Sequence, residues 1–196
     1  MLLSTVILGW IGILLFAIMA VTFIKLFQHN ELGFLHILMA LMYAMWLPLP
    51  AVLNQQINKD VLQAGMIFGV TYLIMMIVTM TFQAGHIVYI TRNGKNSVEE
   101  HNNHMMETLS NPFELLANIF KSLWALFLTI AFWQSNNFLM AGLMLLFSLI
   151  GFYFLIDRSL VKRIKFLEKF KPNPYLFNVE TLCFFLILMV YTSGQL

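Results

Sequence analysis

Long apolar runs alternate with short polar links along most of this chain. Six runs cover residues 2–27, 33–53, 61–91, 113–134, 138–156 and 175–193. A helix needs about 20 apolar residues, with a range of roughly 17–25, to cross the hydrocarbon core of a bilayer. Spanning segments must be helical because no water is available there to pair with backbone N–H and C=O groups. The pattern predicts an all-α membrane protein, with residues 1–196 forming a single polytopic domain of six transmembrane helices.

The composition agrees with a bilayer as the solvent. Hydrophobic residues make up 60% of the chain and charged residues 10%, against roughly 25% charged residues in an ordinary soluble domain. The net charge of +2 is too small to indicate a nucleic-acid partner. Cys183 is the single cysteine, so no intrachain disulfide is possible. The first run has no basic start and no small-residue cleavage site after it, which favours a retained span over a signal peptide.

Two prolines interrupt the end of the second run. Pro48 and Pro50 cannot donate the backbone hydrogen bonds of a helix interior. They predict either a kink or a turn into the polar stretch 54–56, and the region could also be re-entrant.

Basic residues are concentrated in alternate links. The second link contains only Lys59, the fourth contains no Lys or Arg, and Lys121 lies within a span. The first, third and fifth links contain the other nine: Lys25, Arg92, Lys95, Arg158, Lys162, Arg163, Lys165, Lys169 and Lys171. Because basic links are retained on the cytoplasmic side, we expect these three links inside and both termini on the extracytoplasmic side of the plasma (inner) membrane.

The fifth link combines this charge with apolar residues at helical spacing. Such a segment is expected to lie in the headgroup layer with its cations close to anionic lipid. The predicted headgroup contacts are Arg158, Lys162, Arg163, Lys165 and Lys169. A plain extension of the preceding helix that also sets the topology explains the same pattern.

Polar side chains within the spans are the best indicators of function, because ionisable groups are costly in the hydrocarbon layer. On the fourth span, Glu114, Asn118 and Lys121 follow one another at i, i+4 and i+7, and therefore share a face. On the third span, Tyr72, Thr79, Gln83 and His86 form a similar stripe. The predicted orientation places six groups in the cytoplasmic half, where we expect them to form a polar cavity. They are His36, Gln83, His86, Asn118, Lys121 and Glu180.

Each of these groups also has a simpler explanation. A buried His or Gln can tie two helices together with a hydrogen bond of about 0.6 kcal/mol. Lys121 can extend along the bundle so that its charge reaches the headgroups. The predicted cavity therefore depends on convergence of several groups, not on any one of them.

The convergence favours a small transporter or permease-like subunit that handles a small solute, ion or proton. In this interpretation, a buried pair of Lys121 and Glu180 controls access, and His36 or His86 titrates near neutral pH. The main alternative is a non-catalytic accessory, assembly or immunity protein. Gly65 and Gly69 form a small-xxx-small pair that predicts close helix packing within the chain, or contact with a second copy or a partner membrane protein.

Enzymatic and cofactor functions have weaker support. The sequence contains no zinc-binding His-Glu-x-x-His, no phosphate loop and no nucleophile elbow, so a lipid-modifying enzyme rests only on a His–Glu pair. We expect no cofactor, although His36 and His86 could act as axial ligands of a b-type haem. His101 and His104 lie three residues apart without a third metal ligand in register.

Overall fold

The computed structural model of the protein describes residues 1–29, 31–93, 113–160 and 174–196. Within these ranges, the side chains of residues 93, 152–160 and 174–177 are not described. Within those ranges the fold is all-helical. The helices are α1 (Leu2–Gln28), α2 (Leu32–Trp46), α3 (Leu49–Ile57), α4 (Val61–Asn93), α5 (Leu115–Gln134), α6 (Phe138–Leu160) and α7 (Pro174–Ser193). Each predicted span coincides with one helix, except that the second corresponds to α2 and α3 together.

Four of these units are long and apolar enough to cross a membrane: α1, the joined α2–α3 segment Leu32–Ile57, α4 and α5. The apolar parts of α6 and α7 within the described residues are shorter, at Phe138–Gly151 and Asn178–Ser193. The structure is therefore that of a helical membrane protein.

A kink at the prolines joins α2 to α3. Pro48 has no N–H for the carbonyl of Ala44, and the Leu47 N–H bonds to that carbonyl at 3.2 Å instead. Both Leu47 and Pro48 keep right-handed helical dihedral angles, and α2 and α3 together form one apolar segment, Leu32–Ile57. Residues 54–56 accordingly belong to α3, which ends at Asn58 with a positive φ of 49°. Of the expected alternatives, the turn at 54–56 is wrong, because these residues are helical.

Both termini lie at the same end of the bundle. Trp10 Nε1, near the start of α1, donates to Ser193 Oγ, at the end of α7, over 2.9 Å. At the opposite end, where α2 begins and α4 ends, a Cβ added to Gly33 would lie 2.8 Å from Val88 Cγ2. The described helices thus begin and end at the same end of the bundle, and the side of the membrane that this end faces remains the prediction made from the basic residues.

One face of helix α7 contacts side chains of all five other spanning units, whereas Val179 and Val190 on the helix are exposed. Phe184 and Phe185 are fully buried and pack against rings from four of them. The residues in contact with α7 include Gly9 of α1, Trp46 of α2, Tyr72 of α4, Trp124 of α5 and Phe147 of α6. Side chains on α7 are therefore placed where the other helices converge.

Close contact between α4 and α5 depends on two glycines. A Cβ at Gly65 would lie 2.7 Å from Phe127 Cβ, and one at Gly69 would lie 2.7 Å from Trp124 Cδ2 and 3.0 Å from Pro50 Cγ. The small-xxx-small pair therefore seats a neighbouring helix of the same chain. The register that results places the polar faces of α4 and α5 opposite each other.

Candidate functional site

A buried ion pair joins α5 to α7 near the centre of the bundle. Lys121 Nζ donates to Glu180 Oε2, and only 2% of Lys121 and 7% of Glu180 is exposed. Lys121 Nζ also donates to Thr181 Oγ1 over 3.2 Å. It lies over the Tyr72 ring, 5.8 Å from the ring centroid, which is within the roughly 6 Å range of cation–π attraction. A carboxylate, a hydroxyl and an aromatic face thus surround one ammonium group.

A series of polar side chains runs from this pair to the end of the bundle where α4 ends and α5 begins. There Gln83 Nε2 donates to Glu114 Oε1 over 2.7 Å. Thr79 and Asn118 lie one turn nearer the ion pair, on α4 and α5 respectively, and Asn118 Nδ2 donates to the Glu114 carbonyl over 2.6 Å. We call Thr79, Gln83, Glu114 and Asn118 the polar ladder. It connects the half-buried Glu114 to the interior charges.

Several buried polar atoms at this site have unused hydrogen-bonding capacity. Thr79 Oγ1, Asn118 Oδ1 and Glu180 Oε1 make no hydrogen bond to any residue that the structure describes. The Tyr72 hydroxyl faces Tyr43 and Thr181, also without a well-formed bond to a described residue. An unmade hydrogen bond at a buried polar group costs about 1–3 kcal/mol. Glu180 Oε1 and Asn118 Oδ1 can only accept, and the hydroxyls of Thr79 and Tyr72 can accept or donate, so all four atoms can receive a hydrogen bond from a donor.

An aromatic cluster borders the ion pair on the side towards the termini. Trp46 stacks on Phe185 with 3.9 Å between ring centroids, and Trp124 meets Phe184 edge to face at 5.3 Å. Tyr72 belongs both to this cluster, 6.3 Å from Phe185, and to the surroundings of Lys121. The polar site is therefore asymmetric, with the ladder on one side and packed rings on the other.

The two intramembrane histidines occupy different environments. His36 is half-buried on α2, and its Nδ1 donates to the Leu32 carbonyl of its own helix over 2.7 Å. His86 is buried on α4, one turn beyond Gln83. Among the described residues, no group of three or more His, Cys, Asp or Glu side chains is placed to hold a metal ion. The expectation of no cofactor, with haem ligation by His36 and His86 as its weaker alternative, stays a prediction.

The structure thus brings four of the six predicted cavity residues into one connected region: Gln83, Asn118, Lys121 and Glu180. His86 lies next to its end, and His36 is bonded within α2. Thr181 was not among the predicted site residues, because a threonine within a span usually donates a hydrogen bond to a carbonyl of its own helix. Its position next to Glu180 was the one feature of the sequence that could have indicated it. Lys162, Arg163, Lys165, Lys169, His101 and His104 lie outside the described residues, and only the backbone of Arg158 is described.

The fold and the site are therefore those of a helical membrane protein with a buried Lys–Glu pair between two of its helices. Comparison of the chain with protein-family models, with curated proteins and with solved structures finds no match. Its activity must therefore be inferred from the chemistry of its own residues.

Proposed function

We propose that this protein is a small permease-like transporter whose polar site handles a small solute, ion or proton. The observation that supports this best is the buried ion pair between Lys121 and Glu180. Replacing a buried ion pair by well-packed apolar side chains is often neutral or stabilising. Charged side chains inside membrane helices commonly mark substrate or ion pathways. A function in transport would explain why a charged pair is buried at this position, whereas a contribution to stability would not.

The polar ladder supplies the access route in this proposal. It leads from the ion pair to the end of the bundle where α1 and α4 end with Lys25 and Arg92, and the basic residues of the first and third links predict a cytoplasmic location for this end. The site would therefore open to the cytoplasm of a cell whose plasma (inner) membrane contains the protein. The basic residues 158–169 would contact anionic headgroups on the same side.

Accessibility of a cysteine at Asn118 tests the proposal. In a Cys183→Ser background, Asn118→Cys is treated with a membrane-impermeant charged thiol reagent in right-side-out and inside-out vesicles. Although Asn118 is buried in this conformation, a transporter must open its site to water on one side. We expect labelling within minutes from the cytoplasmic face and little from the opposite face.

Three matched variants calibrate that experiment. Ala131→Cys lies on the same helix and is fully buried among apolar groups, so it should remain unlabelled from both faces. Lys25→Cys and Gln195→Cys are exposed near opposite ends of the bundle and should each be labelled from one face. If Asn118→Cys reacts no faster than Ala131→Cys from either face, the transporter proposal is wrong.

One feature favours the alternative, a non-catalytic accessory or assembly protein. Fully buried rings of Trp46, Trp124, Phe184 and Phe185 fill the core between the ion pair and the termini, and a transporter would have to move them. An accessory protein should keep its biological role in the double variant Lys121→Met with Glu180→Gln, which leaves no unpaired charge at this position, whereas transport should be lost in that variant.

A further inference from the structure

The surroundings of Lys121 Nζ resemble a binding site for a primary ammonium ion. The Glu180 carboxylate neutralises the charge, Thr181 Oγ1 accepts a hydrogen bond over 3.2 Å, and the Tyr72 ring presents its face at 5.8 Å. An ammonium group offers N–H donors and attraction to aromatic rings, and it accepts no hydrogen bonds. These three residues therefore match its chemistry whether the ammonium belongs to Lys121 or to a separate molecule.

The unused atoms of the site extend the same match. Glu180 Oε1, Asn118 Oδ1 and the Tyr72 hydroxyl are each on side chains more than nine-tenths buried, without a well-formed hydrogen bond to a described residue. All three can accept. Two of them, Glu180 Oε1 and Asn118 Oδ1, can only accept, whereas the hydroxyls of Tyr72 and Thr79 can also donate, as can Trp124 Nε1 among its aromatic rings. The two acceptor-only oxygens, one of which belongs to a carboxylate, indicate a ligand that donates hydrogen bonds and carries positive charge.

A displaced Lys121 would have a second set of acceptors on its own helix. Asn118 lies three residues earlier on the same face, and Glu114 lies about 10.5 Å away at a rise of 1.5 Å per residue. Long side chains on a helix lean towards its N-terminus, which is the direction of both groups. Lys121 can therefore leave Glu180 without exposing its charge to apolar surroundings.

We propose that Glu180, Thr181 and Tyr72 bind the ammonium group of a small primary amine, and that Lys121 is a tethered occupant which this ligand displaces. The inference rests on the proposed transport function and names its substrate class. Displacement exchanges one ammonium for another at Glu180, so the carboxylate keeps a cationic partner throughout.

Ligand-dependent thermal stability of the purified protein in detergent micelles tests this assignment. The probe is methylammonium chloride, and tetramethylammonium chloride has the same charge without N–H donors. Sodium chloride and sodium acetate control for ionic strength and for an anionic ligand. We expect saturable stabilisation by methylammonium, at least threefold larger in melting-temperature shift than with the other salts.

Variants distinguish this site from nonspecific binding. Lys121→Ala removes the tethered competitor, so the half-saturating methylammonium concentration should fall about tenfold, since a tethered group competes at an effective concentration in the millimolar range. Glu180→Gln should abolish the response, and Glu31→Gln, an exposed carboxylate in the first link, should leave it unchanged. If Lys121→Ala does not fold, Thr181→Val tests the same site in the presence of Lys121 and should raise the half-saturating concentration several-fold.

Equal responses to methylammonium and tetramethylammonium, or a methylammonium response retained by Glu180→Gln, would overturn the amine assignment. Selective stabilisation by acetate that requires Lys121 would instead identify an anion site. In either case, labelling of Asn118→Cys from the cytoplasmic face still supports a transporter, so failure of the amine assignment is distinguishable from failure of the proposed function.

Discussion

Breaking the buried ion pair should be much more harmful than removing it altogether. Glu180→Gln leaves the Lys121 ammonium buried without its carboxylate, and Lys121→Met leaves the carboxylate without its ammonium. Removing one partner of a buried pair typically costs about 3–5 kcal/mol. The double variant buries no charge at this position, so its free energy of unfolding should return to within about 1–2 kcal/mol of the parent.

Equilibrium unfolding in mixed micelles measures these differences. Sodium dodecyl sulfate is titrated into protein in dodecyl maltoside, and tryptophan fluorescence reports the loss of packing around the fully buried Trp46 and Trp124. Lys25→Gln and Glu31→Gln change exposed charges and should shift the free energy by no more than about 0.5 kcal/mol. The four proteins of the Lys121–Glu180 set give the coupling energy directly.

A small loss of stability in the single variants would contradict the assignment of a buried ion pair shielded from water. If each single variant costs less than about 1 kcal/mol, as for a solvent-exposed pair, water reaches both charges in the folded state. The ion pair would then no longer need a functional explanation. Large single costs together with an equally large cost in the double variant would mean that the two side chains contribute mainly through packing.

Three further predictions concern packing and topology. Gly69→Ala should lower the free energy of unfolding by about 1–3 kcal/mol, because its Cβ would lie 2.7 Å from Trp124. Gly85→Ala is the control on the same helix: its Cβ would have nothing within 4 Å, so the change should be neutral or stabilising by up to about 1 kcal/mol. Trp46→Phe should cost about 0.5–1.5 kcal/mol by removing the 3.1 Å bond to the Gly9 carbonyl, measured in the same titration. A C-terminal alkaline phosphatase fusion should be active, and a C-terminal green fluorescent protein fusion dark, in a bacterial host; the reverse result would contradict the predicted sidedness.

The positions of the helices could be predicted from the sequence because the bilayer, as the surrounding solvent, determines them. A bilayer requires long apolar helices, and α1 and α4 extend only one or two residues beyond the predicted spans. The second span differs more. Asn54, Gln55 and Gln56 resemble a polar link, but they form the last turn of α3 before Asn58. Polarity at the end of a span does not by itself end a helix, because the backbone can continue into the headgroup layer.

The pairing within the site was only partly predictable. Helical spacing places Glu114, Asn118 and Lys121 on one face of α5, and the same argument applies to Thr79 and Gln83 on α4. Spacing within each helix does not say which helix faces which. That information comes from contacts such as Gly69 against Trp124, which depend on side-chain volumes across the whole bundle. The contacts of α7 with all five other spanning units were likewise not visible in its sequence.

The position of α7 also links the polar site to the aromatic cluster. Glu180, Phe184 and Phe185 lie within five residues of one another on a regular helix whose described interior contains no proline or glycine. The helix therefore moves as a rigid unit over this length, about 7.5 Å at a rise of 1.5 Å per residue. Any displacement of α7 large enough to separate Glu180 from Lys121 must also shift Phe185 against Trp46, whose ring centroid is 3.9 Å away, next to the proline kink. A movement of α7 that opens the polar site would consequently also rearrange the rings on its far side, and this is the coupling that the proposed transport function would require.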